Sequence, residues 1–131
     1  MDHRRIAHIV TVGTSIVRNL AQNASGQSVS SDILEKFKRW AQASPRSRED
    51  AEAGERACSG CEEFEAGLRF LASKPYEVSA ELNAMRSYLE EGMVDAVVLL
   101  SSDTGVSEFS GRLLEAYLSS EGKQVETIRV P

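Results

Sequence analysis

The chain has 131 residues, 41% of them hydrophobic, with 15 Lys and Arg against 20 Asp and Glu, two cysteines and a formal net charge of −5. That length suits one domain around one core, and the acidic balance speaks against binding of long nucleic acid, which needs a basic surface to displace counterions. Two cysteines cannot build a disulfide scaffold, the N-terminus lacks the apolar region of a signal peptide, and the apolar stretches Ile6–Val12 and Val94–Leu100 fall far short of the roughly 20 residues that span a bilayer. The expected compartment is the cytoplasm.

Ile6–Val12 is rich in β-branched residues with almost no polar interruption, which predicts a central parallel strand covered on both faces. Gly13-Thr14-Ser15 breaks it, and Ile16, Val17 and Leu20 recur at helical spacing behind Ser15 as N-cap. Asn23–Ser31 reads as a polar loop. Ser31 or Asp32 can cap a helix carrying Ile33, Leu34, Phe37, Trp40 and Ala41 that stops near Ser44-Pro45. Ser47–Ser73 reads as a charged helix with Ala51, Ala57, Cys58, Cys61, Phe64, Leu68 and Leu71 as its buried stripe, interrupted by Gly54, Gly60 and Gly67. Lys74-Pro75 ends it, and Tyr76–Val78 is a short extended piece. Ser79 starts a helix with Leu82, Met85, Tyr88 and Leu89 inward, closed by Gly92. Asp95–Ser101 is the second buried strand, followed by the turn Ser102–Gly105 and a helix through Leu113, Leu114, Tyr117 and Leu118 to Gly122. Gln124–Val130 is the last strand. Strands alternating with helices predict an α/β fold with a mostly parallel sheet, right-handed crossovers placing helices on both faces, and ligands bound beyond the carboxyl ends of the strands near a switch point.

Two polar turns fall at that edge. Gly13-Thr14-Ser15 offers a glycine for close approach, two hydroxyls and free amides at a helix N-terminus, which together suit an anion. A capped turn without ligand fits the same residues. Ser101-Ser102-Asp103-Thr104-Gly105 supplies a second set of hydroxyls and amides, with Asp103 placed to orient a ribose hydroxyl or, alternatively, to cap the following helix. Arg18, Arg112 and Lys123 are cations that could meet phosphate, although most single lysines and arginines are solvated surface residues. Neither Gly-x-Gly-x-x-Gly nor a Walker A pattern is present, which disfavours ordinary dinucleotide or triphosphate binding and an FMN-type module. Cys58-Ser-Gly-Cys61 has no second Cys pair, and His3 and His8 lie far off, so both thiols are expected to pack beneath a helix with no metal bound. His8 reads as a core or interface residue, and the acidic run from Glu49 to Glu65 as a solvated helix face.

Three separated runs, Thr11–Asn19, Ser79–Met85 and Leu100–Gly105 leading into Leu113–Leu118, resemble the CARF (CRISPR-associated Rossmann fold) family. The resemblance implies one Rossmann-like domain over residues 1–131, and the charged, glycine-interrupted segment 44–73 departs from the family as a helical insertion expected to form a lid, a dimer arm or rim decoration. It also implies a homodimer whose two-fold axis brings both copies of the turns around one pocket. That pocket would take a cyclic oligoadenylate, cyclic tetra-adenylate first, the second messenger of type III CRISPR complexes. The ligand-binding residues would be Gly13, Thr14, Ser15, Arg18, Asn19, Ser101, Ser102, Asp103, Thr104, Gly105 and Lys123. Two readings follow. In the first the chain is a metal-independent ring nuclease without cofactor, in which a ribose 2′-hydroxyl attacks the adjacent phosphate to leave 2′,3′-cyclic phosphate ends. The resemblance assigns positioning to Ser15 and charge stabilisation to Lys123. In the second the chain is the sensor domain of a larger effector, cut at Pro131, with little or no cleavage.

Overall fold

The computed structural model describes residues 6–23 and 29–131; His3 and the middle of the expected Asn23–Ser31 loop lie outside them. Three strands, β1 (Ile6–Thr11), β2 (Val94–Ser102) and β3 (Gln124–Val130), form a parallel sheet in the order β1-β2-β3. Ile9 pairs with Val98 and Val98 with Glu126, and the ladder reaches past β1 through Val12 N–H to the Leu100 carbonyl at 2.8 Å. The fold is α/β, a parallel sheet flanked by helices, and β2 is its central strand.

The strand order corrects one expectation. A sheet that adds strands in one direction through right-handed crossovers keeps every connecting helix on the same side. Helices on both faces, and a switch point, require the order to reverse, which these three strands do not do. Val12, Val97, Leu99 and Ser101 are accordingly buried on the helix side. On the other face Ile9 is 70% exposed, Ile128 44% and Val130 47%.

Between β1 and β2 run seven helices: α1 (Ser15–Asn23), α2 (Ser31–Ala41), α3 (Arg48–Glu55), α4 (Glu62–Ser73), α5 (Pro75–Val78), α6 (Ala80–Ala84) and α7 (Arg86–Glu90); α8 (Gly105–Ser120) joins β2 to β3. Ser30, not Ser31 or Asp32, caps α2, its Oγ accepting from Ile33 N–H at 3.3 Å. Ser47–Ser73 is two helices, because Gly60 takes φ +92° and turns the chain. Gly54 and Gly67 stay inside their helices and mark close approach to α8: a Cβ on Gly54 would lie 3.1 Å from Gly105 Cα, and one on Gly67 3.2 Å from Leu113 Cδ1. Of the expected stripe, Phe64 and Leu71 are buried and Ala57, Cys61 and Leu68 half-buried, but Ala51 and Cys58 are exposed and Ala53, Ala66 and Phe70 take the interior positions. This segment therefore helps to build the core. The expected extended piece at Tyr76–Val78 is the helical turn α5, since Pro75 suits a first helical position. The helix after Ser79 breaks at Met85, which leaves Tyr88 40% exposed.

The core centres on α8, with Phe109, Leu113, Leu114 and Leu118 fully covered. Trp40 meets Phe109 edge-on at 5.0 Å, and Phe37 and Phe64 complete the aromatic group.

Candidate functional site

At the carboxyl ends of β1 and β2 the chain leaves neighbouring strands, about 5 Å apart, through the two polar turns that the sequence singles out. The first turn is filled from within the protein. Glu81, 7% exposed at the start of α6, accepts the Gly13 N–H at 3.0 Å through Oε2 and the Ser15 hydroxyl at 2.8 Å through Oε1. Ser79 Oγ also donates to Glu81 Oε1 at 3.2 Å, and Ser15 Oγ in turn accepts from Ala80 N–H at 3.2 Å. Ser15 thus faces a carboxylate and a backbone amide, while the Thr14 carbonyl accepts the first helical bond from Arg18 N–H. Asn19 Nδ2 donates to the Val78 carbonyl at 2.8 Å, so the Ser79–Met85 run packs directly on the first turn and its helix.

The second turn is filled in the same manner. Asp50, 3% exposed in α3, accepts Gly105 N–H at 2.8 Å and Val106 N–H at 2.9 Å, the amides that open α8. A helix N-terminus ordinarily offers such amides to an external anion. Here Asp50 occupies that position at α8, whereas Glu81 takes the Gly13 amide and the Ser15 hydroxyl ahead of α1. Arg46, at φ 64° in the left-handed region that side chains rarely adopt, is held by its N–H to Asp50 Oδ2 and by its guanidinium to Asp103 Oδ1 at 2.8 Å. Asp103 is therefore paired with Arg46, and Thr104 is the N-cap, accepting from Ser107 N–H at 3.4 Å. Ser102 Oγ bonds Thr104 Oγ1 at 3.0 Å and Ser107 Oγ at 2.8 Å.

What stays open to solvent at this edge is Gly13, Thr14, Arg18, Ser102, Asp103 and Arg46. Arg18 donates to Thr14 Oγ1 at 3.1 Å, which holds one guanidinium over the first turn. Ser101 points to the covered side and lines a 370 Å³ cavity between α8 and β3 with Arg112, Thr127 and Arg129. Arg129 there pairs with Glu108 at 2.5 Å. Lys123 is not brought to Ser15 within the chain. It precedes β3 and so sits at the amino ends of the parallel strands, beside Tyr76, Tyr117 and Glu121; the seven-residue strand, at about 3.3 Å per residue, puts it roughly 20 Å from the turns. His8 lies half-buried against Tyr88, ring centroids 5.0 Å apart, and its Nε2 meets no hydrogen-bond partner among the described residues.

Glu81, Asp50 and Arg46 are the site residues that sequence reasoning passed over. Glu81 lies inside a run already singled out, and a carboxylate within a polar helix start could have flagged it. Asp50 carried no such signal, being one acid among seven in a charged segment. Away from the edge, α4 carries Glu63, 1% exposed and bonded to Lys36 at 2.6 Å and Arg56 at 2.8 Å. Burial alone would raise its pKa, but the hydrogen bonds from Arg56 and Lys36 outweigh burial and hold it at about 2.

The family model described as "CRISPR-associated protein (Cas_APE2256)" matches residues 76–131. That match supports CRISPR association. It runs from α5 to the end of β3, less than half of the chain, and includes Glu81 and the whole second turn. No curated protein matches the chain. Among the described residues no helix is long and apolar enough to cross a membrane, and no three His, Cys, Asp or Glu side chains gather to hold a metal ion.

Proposed function

We propose that the chain binds a cyclic oligoadenylate, cyclic tetra-adenylate first, at the edge where its two polar turns meet, and that two copies close around one ring. The observation that carries this reading is the meeting of three separated sequence runs at one edge: Glu81 of the second bonds Gly13 and Ser15 of the first, and the first lies beside Ser102 of the third. The CRISPR-associated match and the resemblance to the CARF family both support it. Since Glu81 holds the Gly13 amide and Asp50 those of Gly105 and Val106, the ligand's phosphates would meet Arg18, Arg46 and the hydroxyls of Thr14 and Ser102. The sugar edge would face Asp103. A two-fold arrangement doubles each donor, which lets an acidic protein hold a small polyanion.

Of the two activities, sensing without rapid cleavage is the better supported, because Lys123 stands at the far end of the strands from Ser15 and cannot stabilise charge on the same phosphate within one chain. Cleavage is the second reading, and the Ser15–Glu81 pair favours it. The Glu81 carboxylate 2.8 Å from the hydroxyl accepts the Ser15 O–H and fixes the rotamer, which leaves a Ser15 lone pair to accept from a 2′-hydroxyl and orient it for in-line attack. Calorimetry with cyclic tetra-adenylate tests binding: one ligand per two chains supports the reading, and one per chain or none refutes it. Incubating the same sample with the ring in EDTA, followed by chromatography, separates sensor from ring nuclease.

A further inference from the structure

Cys58 and Cys61 are bonded to each other, with Cα atoms 5.7 Å apart, so they do not pack as thiols beneath a helix. The two residues between them turn through Gly60, whose N–H is held by Glu65 Oε1 at 3.0 Å. The two sulfurs are not equivalent. Cys58 is exposed on the turn, whereas Cys61 is half-buried and forms the N-cap of α4. Closing so short a loop removes little chain entropy, so stapling the fold is the lesser consequence of the bond. Beside Cys58 opens a groove of about 510 Å³ lined by Phe64, Leu68 and Ala116, with Arg112 alongside.

We infer that Cys58–Cys61 is a thiol–disulfide exchange site whose substrate is an external thiolate arriving along this groove. The thiolate attacks Cys58 Sγ, the accessible sulfur. The bond to Cys61 breaks, and Cys61 leaves as a thiolate that takes a proton from water. The amides opening the 12-residue α4 stabilise that departing charge, and Arg56 and Lys36 neutralise the nearby Glu63, while Glu62 and Glu65 act in the opposite sense. A second thiolate then attacks the external sulfur of the mixed disulfide, and Cys58 is released and protonated. One protein disulfide and two thiols become one protein dithiol and one external disulfide, with two electrons passing into the protein.

The test counts thiols on the folded chain with an aromatic disulfide reagent, before and after equal thiol concentrations of dithiothreitol or reduced glutathione. Expected are no reactive thiols in the oxidised protein and two after dithiothreitol, with the circular dichroism spectrum unchanged. Reduction by glutathione as well assigns the site to monothiols, and reduction by dithiothreitol alone assigns it to dithiols. Reduction by neither, or thiols that titrate only after urea unfolding, overturns the inference. When the reaction with glutathione is quenched by alkylation and the peptide is sequenced by mass spectrometry, the trapped intermediate should carry glutathione on Cys58 and the alkyl group on Cys61. The reverse placement also overturns it.

Discussion

Replacing Asp50 with Ala should destabilise the fold through the start of α8. The carboxylate is 3% exposed and accepts from Gly105 and Val106 at 2.8 and 2.9 Å, with a third bond from Arg46 N–H at 3.1 Å. Hydrogen bonds to a charged acceptor contribute about 1.5–3 kcal/mol each, and loss of a capping side chain alone costs about 1 kcal/mol. Water entering the vacated space would restore part of this, so the expected net loss is about 3 kcal/mol, a large share of the roughly 5–15 kcal/mol that holds a domain together. For a chain of this size that corresponds to a fall in Tm of roughly 10 °C. Asp50→Asn keeps one acceptor oxygen but turns an amide toward a donor, and should lose about 2 kcal/mol. Urea titration followed by circular dichroism measures both. A loss below about 1 kcal/mol for Asp50→Ala, with an unchanged m-value, would refute the reasoning that an internal carboxylate anchors this helix.

Other substitutions probe neighbouring links. Gly105→Ala should be at least as damaging, because the added Cβ would collide with the Asp50 carbonyl oxygen; a stable, folded Gly105→Ala protein would show that α3 does not approach α8 this closely. The lowered pKa of Glu63 adds stability in full above its ordinary value of 4.5, lost as pH falls toward about 2. Discounted for the partly exposed Lys36 and Arg56, that is about 1–2 kcal/mol, and Glu63→Gln should flatten the stability profile between those pH values. In calorimetry, Arg18→Ala should weaken cyclic tetra-adenylate binding about tenfold. Lys123→Ala should leave it within about twofold, and a larger loss would place Lys123 in the pocket. Leu99→Ala, removing a fully covered side chain, should cost about 2–5 kcal/mol, whereas Ile9→Ala on the open face should cost under about 1 kcal/mol.

Much of the fold was legible because it depends on local pattern. The β-branched runs Ile6–Thr11 and Val94–Leu100, the helical spacing of Ile16, Val17 and Leu20, and the stretch Gln124–Val130 each declare their element within a few residues. The polar turns were legible for the same reason, since glycine and hydroxyl residues at a strand's end have few other uses. Positions whose meaning depends on distant neighbours were not. Gly60 breaks a helix while Gly54 and Gly67 do not, and the difference is contact with α8, which no local window contains.

The sequence alone determined that this is a single acidic α/β chain with two polar turns at the carboxyl ends of parallel strands. Tertiary structure decided what those turns can offer. Strand order, set by packing, keeps the helices on one face and sends Lys123 to the opposite end from Ser15. Glu81 binds the Gly13 amide and the Ser15 hydroxyl from 68 and 66 residues away, and Asp50 fills the opening amides of α8 from 55 and 56 residues away. Hydrogen bonding is short-ranged in space and indifferent to separation along the chain, so only the folded arrangement could show that both turns are already held by the protein's own carboxylates.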